Sequence, residues 1–377
     1  MADQGIKKKF FQTETSHPIT SFVMDLGKTF YLGGRSVVRY YYAPKEGHER
    51  DLALKNSYLV SSEKGVFLLK KDKIVRLSMM PCYGIAVSEG KVYLAQMGES
   101  RTDYSKIVSI PLDLFLNNSI MSQQKLLYAN KCIGWGGRIH QICVHGNYIL
   151  VTDTAKNTIV VVDKNTGKVE REIAPFLDRF GEPILFDQNH INSVSAYGDV
   201  LLFVAYKAGK TSLVGVIGKE RILGYSYKNP GVHDIHLFNK KIYLSDTFGR
   251  NVEGEGGTLI ENNKPIYEEF FKKPPGVIVR AISGDEEELL VGHSHKGKRS
   301  VRFEGKGGII VIKKNEIRML EMPFSQVYDI IHLSGEHFKG PNEKTEDFEE
   351  ICKICEKHFG KPIYEVRTKD CVIKPKG

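Results

Sequence analysis

Cysteine is scarce in this chain: six in 377 residues, at Cys82, Cys132, Cys143, Cys352, Cys355 and Cys371. Their wide, irregular spacing excludes the disulfide framework of a small secreted domain and suits reduced thiols in the cytoplasm. Long hydrophobic runs are missing, since no window approaches the ~18 uninterrupted apolar residues of a membrane span. At the N-terminus, Lys7, Lys8 and Lys9 are followed by only Phe10 and Phe11, too few apolar residues for a secretory signal. The expectation is a cytoplasmic protein with no membrane partner. Tryptophan occurs once, as Trp135, within Gly134-Trp135-Gly136-Gly137. There is no Gly-x-Ser-x-Gly elbow, phosphate loop or dinucleotide fingerprint in a strand–helix setting, so those enzyme classes drop out. The net charge of +9 points to an anionic partner. No Arg/Lys-rich helix or paired-aromatic sheet motif accompanies it, so specific nucleic-acid binding is not expected.

What the chain does contain is a repeat. Helix-period patterns are scarce and short alternating apolar runs dominate, which predicts an all-β fold. Six strands open the same way, with a polar or aromatic residue two places before a branched aliphatic anchor. The pairs are Tyr83/Ile85, His140/Ile142, Asn192/Val194, His233/Ile235, Arg280/Ile282 and Tyr328/Ile330. The anchors recur at roughly 40 to 57 residues, the length of one propeller blade. Residues 138–173 read as a four-stranded meander, with turns at 145–147, 155–157 and 164–167. Such a meander has two apolar faces and gains stability only by stacking radially with others.

The fold expected is a six-bladed β-propeller over residues 12–335, with seven blades as the alternative. Strand groups at 19–43 and 57–79 lack the anchor pattern, and part of this region is assigned to complete the blade begun at Tyr328. Residues 336–377 form a C-terminal extension with one helix and a short strand at 363–366. Phe348, Ile351, Cys352, Cys355 and Phe359 make one helical stripe there, with acidic residues in the first turn. Cys352-x-x-Cys355 sits on that stripe, which favours packing over a zinc or redox role.

Ring closure would bring the six opening residues to one rim: Tyr83, His140, Asn192, His233, Arg280 and Tyr328. His190, Asp234 and Asp329 fall beside them. Second-strand ends at Gln96, Asp153, Tyr206, Asp246 and His293 should reach the same face. Three of these open long loops, at 96–106, 246–257 and 293–308. The last carries His293 and Arg299 among several cations and reads either as a lid for an anion or as a solvated turn. His140, His190, His233 and Asp329 could hold a divalent metal such as zinc, iron or manganese. Alternatively His140, His190 and His233 act as acids or bases oriented by Asp234. In that case Tyr83, Asn192, Arg280, Tyr328, His293 and Arg299 bind substrate, with Arg280 clamping a carboxylate or phosphate. A structural role, each histidine satisfying backbone groups of a neighbouring blade, is the third reading.

Residues 81–87 (PCYGIAV) and 151–163 (VTDTAKNTIVVVD) resemble NHL-repeat blade segments. The order of motifs, from 21–34 through His140, 190–192, His233, 279–280 and 308–311 to 328–330, resembles a family of conserved bacterial β-propeller proteins of uncharacterised function. The resemblance spans about residues 19–335. It implies a propeller with a polar rim and no particular activity. Two functions are therefore expected to compete. One is a pocket that binds and transforms a small anion, as a hydrolase, lyase or isomerase; the other is a non-catalytic, NHL-like scaffold for a protein partner.

Overall fold

The structure, a computed structural model, describes residues 28–32, 35–39, 57–70, 73–97, 104–117, 124–131, 139–208, 211–238, 240–247, 257–266, 277–284, 288–295, 305–313, 316–333 and 347–373. Alternating apolar residues between tight turns form six antiparallel sheets, and these are the blades. Blade 1 comprises Cys82–Ser88, Lys91–Gln96, Tyr104–Pro111 and Lys125–Lys131. Blade 2 comprises Ile139–His145, Tyr148–Asp153, Thr158–Asp163 and Val169–Ile173. Ile191–Tyr197, Val200–Ala208, Thr211–Ile217 and Arg221–Tyr227 make blade 3. Val232–Phe238, Lys241–Asp246, Thr258–Glu261 and Lys264–Ile266 make blade 4. Blade 5 runs through Val277–Gly284, Glu288–His295, Gly308–Lys313 and Glu316–Glu321.

Blade 6 joins the two ends of the repeat region. Its first strand, Val327–His332, pairs with Ser57–Ser62, which is followed outward by Gly65–Lys70 and Lys73–Ser78. The first strands of successive blades touch one another, and Val327–His332 touches Cys82–Ser88 to close the ring at six. The closure expected from the sequence, with strands from both ends in one sheet, is therefore present. Lys28–Leu32 and Arg35–Arg39 pair as a separate two-stranded sheet.

The period of two along each strand divides its side chains between two junctions. In Tyr148–Asp153, Ile149 and Val151 face blade 1 while Leu150 faces blade 3. The hydrophobic core is accordingly six wedges, one at each blade junction. All six anchors are buried in these wedges. A propeller blade unable to reach both neighbours would leave one apolar face wet, so closure and stability are the same event.

The tail is tied to the ring. Helix Phe348–Phe359 starts at Asp347, whose carboxylate accepts from the Glu349 amide, and carries Glu349 and Glu350 in its first turn. Its predicted stripe buries Ile351, Cys352 and Cys355 over the junction of blades 3 and 4. Tyr364–Arg367 then becomes a fifth strand of blade 3, and Val372–Ile373 a fifth strand of blade 2. The sequence signalled the strand but gave it no sheet to join. No helix among the described residues is long and apolar enough to cross a membrane.

Candidate functional site

Each blade's first strand carries one break in register, and each break includes the residue two places before the anchor, with Gln141 and Asp234 also inside it in blades 2 and 4. The register slips between Cys82 and Gly84, Ile139 and Ile142, Ile191 and Ser193, Val232 and Ile235, Val279 and Ala281, and Val327 and Asp329. A bulge leaves one residue outside the ladder and re-aims its side chain. Here the re-aimed side chains are Tyr83, His140, Asn192, His233, Arg280 and Tyr328. Together with Gln141 they line one pocket at the mouth of the channel. The space they enclose is small, about 30 Å³, and continues outward into open solvent.

A nearly continuous collar of rings surrounds the pocket, in which His190 and Tyr206 stand behind the lining residues His140 and His233. Tyr83 lies 4.4 Å from Tyr328 and stacks at 4.9 Å on His140, measured between ring centroids. His140 meets His190 edge-on at 5.0 Å. Tyr206 then bridges His190 and His233, at 5.6 and 5.5 Å. The Arg280 guanidinium sits 5.5 Å above the Tyr328 ring, a cation–π contact. Arg280 also raises the cost of charging His233, so the two groups interact across the remaining gap.

Hydrogen bonds fix the histidine tautomers. Thr154 donates its hydroxyl proton to Ile191 O at 2.8 Å, so at 2.7 Å from His140 Nδ1 its oxygen accepts. Thr247 donates to Val279 O at 2.7 Å and likewise accepts from His233 Nδ1 at 2.6 Å. The Gly231 carbonyl, 3.0 Å from the same nitrogen, makes the assignment firm for His233. His190 Nδ1 donates to Asp187, 2.8 Å from Oδ1. With Nδ1 protonated, each neutral imidazole keeps its basic lone pair on Nε2. Burial, followed by the nearby Arg280, holds His233 well below its usual range and so uncharged at neutral pH. His190 adopts φ 58°, a left-handed conformation uncommon for a residue with a Cβ. Its Asp187 hydrogen bond accompanies that turn.

One layer deeper, the residue just before each anchor alternates between large and small around the ring: Gly84, Gln141, Ser193, Asp234, Ala281, Asp329. Each large member reaches to the anchor amide of the next blade. Asp329 Oδ2 accepts from Ile85 N at 2.8 Å, Gln141 Oε1 from Val194 N at 3.1 Å, and Asp234 Oδ2 from Ile282 N at 2.9 Å. The inner edge of every blade is an unpaired strand edge, and these side chains satisfy part of it. Asp329 Oδ1 and Asp234 Oδ1 also accept from Ile330 N and Ile235 N, both at 2.9 Å. Gln141 Nε2 donates to Asp234 Oδ1 at 3.1 Å. Burial raises the Asp234 pKa to about 7. Burial and the charge of Asp234 push Asp329 well above the carboxylate range.

The small members make room for this layer. A Cβ on Gly84 would lie 2.9 Å from both His140 O and Ile142 N. Those atoms belong to the backbone of blade 2 and cannot turn away. Gly84→Val is therefore expected to pry blades 1 and 2 apart and to cost about 3 kcal/mol or more, read as a lower denaturation midpoint in urea.

Several sequence expectations need correction. Asp234 does not orient a histidine, because its oxygens are occupied by two amides and Gln141 while His233 Nδ1 bonds to Gly231 and Thr247. Asp329 is likewise held by backbone amides below the rim. Among the described residues no three His, Cys, Asp or Glu side chains gather as a metal-binding group. Of the set His140, His190, His233 and Asp329, His140 and His190 are in ring contact while the Asp329 carboxylate is taken by Ile85 N and Ile330 N. His293 does not line the pocket. Its buried ring packs over Gly308, where an added Cβ would come 2.4 Å from Nε2. Asp153 and Asp246 point outward instead, bonding Tyr128 and Asn130 of blade 1, and Tyr227 and Asn229 of blade 3. Trp135, Arg299 and most of the three long loops lie outside the described residues.

Gln141, Asp187, Thr154 and Thr247 were not singled out from sequence. The repeated Asp-Thr at 153–154 and 246–247, each fourteen residues after a rim histidine (140 to 154, 233 to 247), was the available signal for the threonines.

No protein-family model matches the chain, and no curated protein does. Solved structures do resemble it. The nidogen/laminin complex contains a chain 12% identical, with a TM-score of 0.45, over 74% of this chain and 98% of that one. Dihydro-haem d1 dehydrogenase NirN aligns at 12% identity and a TM-score of 0.39, over 78% of each chain. The computationally designed Ika8 protein aligns at 13% identity and a TM-score of 0.35, over 72% of this chain and 76% of its own. At these identities the chain's membership extends to an architecture and no further: it is a six-bladed β-propeller.

Proposed function

We propose that the collar is a small-molecule site that holds an anion on Arg280 and offers the neutral His233 ring as a base beside it. The observation that carries this reading is the coincidence of six bulges on six side chains that line one pocket. A structural role for each histidine alone gives no reason for the bulge to recur at one register position. Among the described residues Arg280 is the only pocket-lining side chain with a permanent charge, and that charge is positive. His233, neutral and protonated on Nδ1, presents an Nε2 lone pair suited to accepting a proton from a bound acid, with His140 beside it on the pocket wall. The reaction classes that fit are proton-transfer steps of a hydrolase, lyase or isomerase. Five described cysteines are free thiols, in keeping with a reducing, cytoplasmic setting.

A second reading keeps the NHL-like resemblance and makes the propeller a scaffold for a protein partner. It is favoured by the segment preceding His190, where Phe180, Leu185 and Phe186 are 73%, 50% and 63% exposed. Isolated exposed apolar residues are ordinary, but three on one short segment beside the pocket suit a contact surface.

Incubation with a panel of small carboxylic acids in D2O, followed by proton NMR, separates the two. The site reading expects deuterium to enter a bound acid at the carbon beside its carboxylate, and this to stop in His140→Ala and His233→Ala. Exchange that persists in both variants, or no acid exchanging at all, would remove the catalytic role.

A further inference from the structure

Two buried polar atoms in the collar lack partners among the described residues, and they are of opposite kind. Arg280 Nε is a donor without an acceptor; Asn192 Oδ1 is an acceptor without a donor. Asn192 is only 2% exposed, and its amide orientation is fixed because Nδ2 donates to Val232 O at 3.2 Å. Turning the amide over would set oxygen against oxygen. Native proteins rarely leave such atoms unpaired when buried, and one on a pocket wall marks where a ligand atom belongs.

We infer that the ligand is a small hydroxycarboxylate, its carboxylate on Arg280 and its hydroxyl donating to Asn192 Oδ1. This rests on the anion-site reading above and narrows it to a substrate class. An ammonium could also donate to Asn192, but among the described residues the pocket lining contains no carboxylate to balance it, and Arg280 would repel it. The carboxylates nearest the collar in sequence are already engaged: Asp234 and Asp329 accept from backbone amides below it, and Asp187 bonds His190. A plain carboxylate would leave Asn192 Oδ1 unpaired and desolvated, losing roughly one hydrogen bond to a buried group.

Calorimetric titration with lactate, propionate and alanine tests the class directly, since these probes differ only in the group beside the carboxylate. Lactate should bind about tenfold or more tighter than propionate, with alanine no better than propionate. In Asn192→Leu, checked for an unchanged melting profile, the lactate advantage should disappear while propionate affinity holds. Equal binding of lactate and propionate to the wild-type protein overturns the hydroxycarboxylate class and leaves the anion site standing. Tighter binding of alanine assigns the donor to an ammonium and also overturns it. Binding of none of the three, repeated with malate and succinate, overturns both the class and the anion site.

Discussion

Arg280→Ala is expected to weaken binding of a small carboxylate about a hundredfold while leaving the fold intact. Among the described residues Arg280 is the sole permanent cation on the pocket wall, and its guanidinium is held over Tyr328 with Nε unpaired. Charge-assisted hydrogen bonds to a carboxylate in such a setting contribute ~1.5–3 kcal/mol, and about 2.7 kcal/mol corresponds to a hundredfold in affinity. The fold should tolerate the change because Arg280 sits at a bulge, outside the ladder between its two flanking strands. Lysine should recover only part of the loss, since a point charge cannot offer two parallel donors. The variant has a second signature. Arg280 contributes to holding His233 below its usual range, so in Arg280→Ala the His233 titration should move upward. Calorimetry at low salt and NMR titration of the histidines check both parts. Unchanged affinity, or a static His233, would separate Arg280 from the site.

The second large effect concerns stability. Asp234→Ala removes the acceptor of Ile235 N, Ile282 N and Gln141 Nε2 at once, leaving donors of three blades without partners. Each buried donor so stranded costs ~1–3 kcal/mol, so a total of about 3 kcal/mol or more is expected, with a fall in Tm of roughly 6 °C or more. Its pH dependence is distinctive. Burial raises the Asp234 pKa from 3.8 to about 7, so the folded state binds this proton more tightly than the unfolded chain. The resulting stabilisation is complete below pH ~4 and is lost as pH rises through 7. Asp234→Asn cannot ionise and should not share that decline. The gap in Tm between wild type and Asp234→Asn is therefore expected to narrow from pH 5 to pH 8. His233 acts in the opposite sense in both proteins, its contribution being present above pH ~6.5 and fading as pH falls, so it cancels in the difference, which reports Asp234 with the Asp329 carboxyl coupled to it. Parallel Tm curves would show that the buried carboxylate does not titrate in this range.

The sequence carried the ring and its rim because both repeat. Tyr83, His140, Asn192, His233, Arg280 and Tyr328 share one offset from a buried anchor, and a bulge at that offset turns them all into one pocket. The strand group after Ser57 was placed in blade 6 for a similar reason, since a closed ring leaves no other partner for Val327–His332. What was misjudged lies where repetition says nothing about direction. Asp234 and Asp329 are one residue from the rim in sequence, but an odd step along a strand reverses the side chain, and the channel's unpaired amides claimed both carboxylates. The alternation of Gly84, Ser193 and Ala281 with Gln141, Asp234 and Asp329 was visible, yet its meaning depends on how closely adjacent blades approach. His293 ends a second strand as expected, but the missing side chain of Gly308 gives its ring a buried place away from the mouth. The fifth strands of blades 2 and 3 come from the tail, and no local pattern identifies a partner so distant in the chain.

The central claim is that six separated segments share one anion-binding pocket. Nitrogen-15 NMR of the histidine side chains during a lactate titration examines it most directly. At pH 7.5 the account predicts His233 as a neutral ring with protonated Nδ1, shifting together with His140 along one saturation curve that is absent in Arg280→Ala. Histidines that respond separately, or not at all, would contradict it.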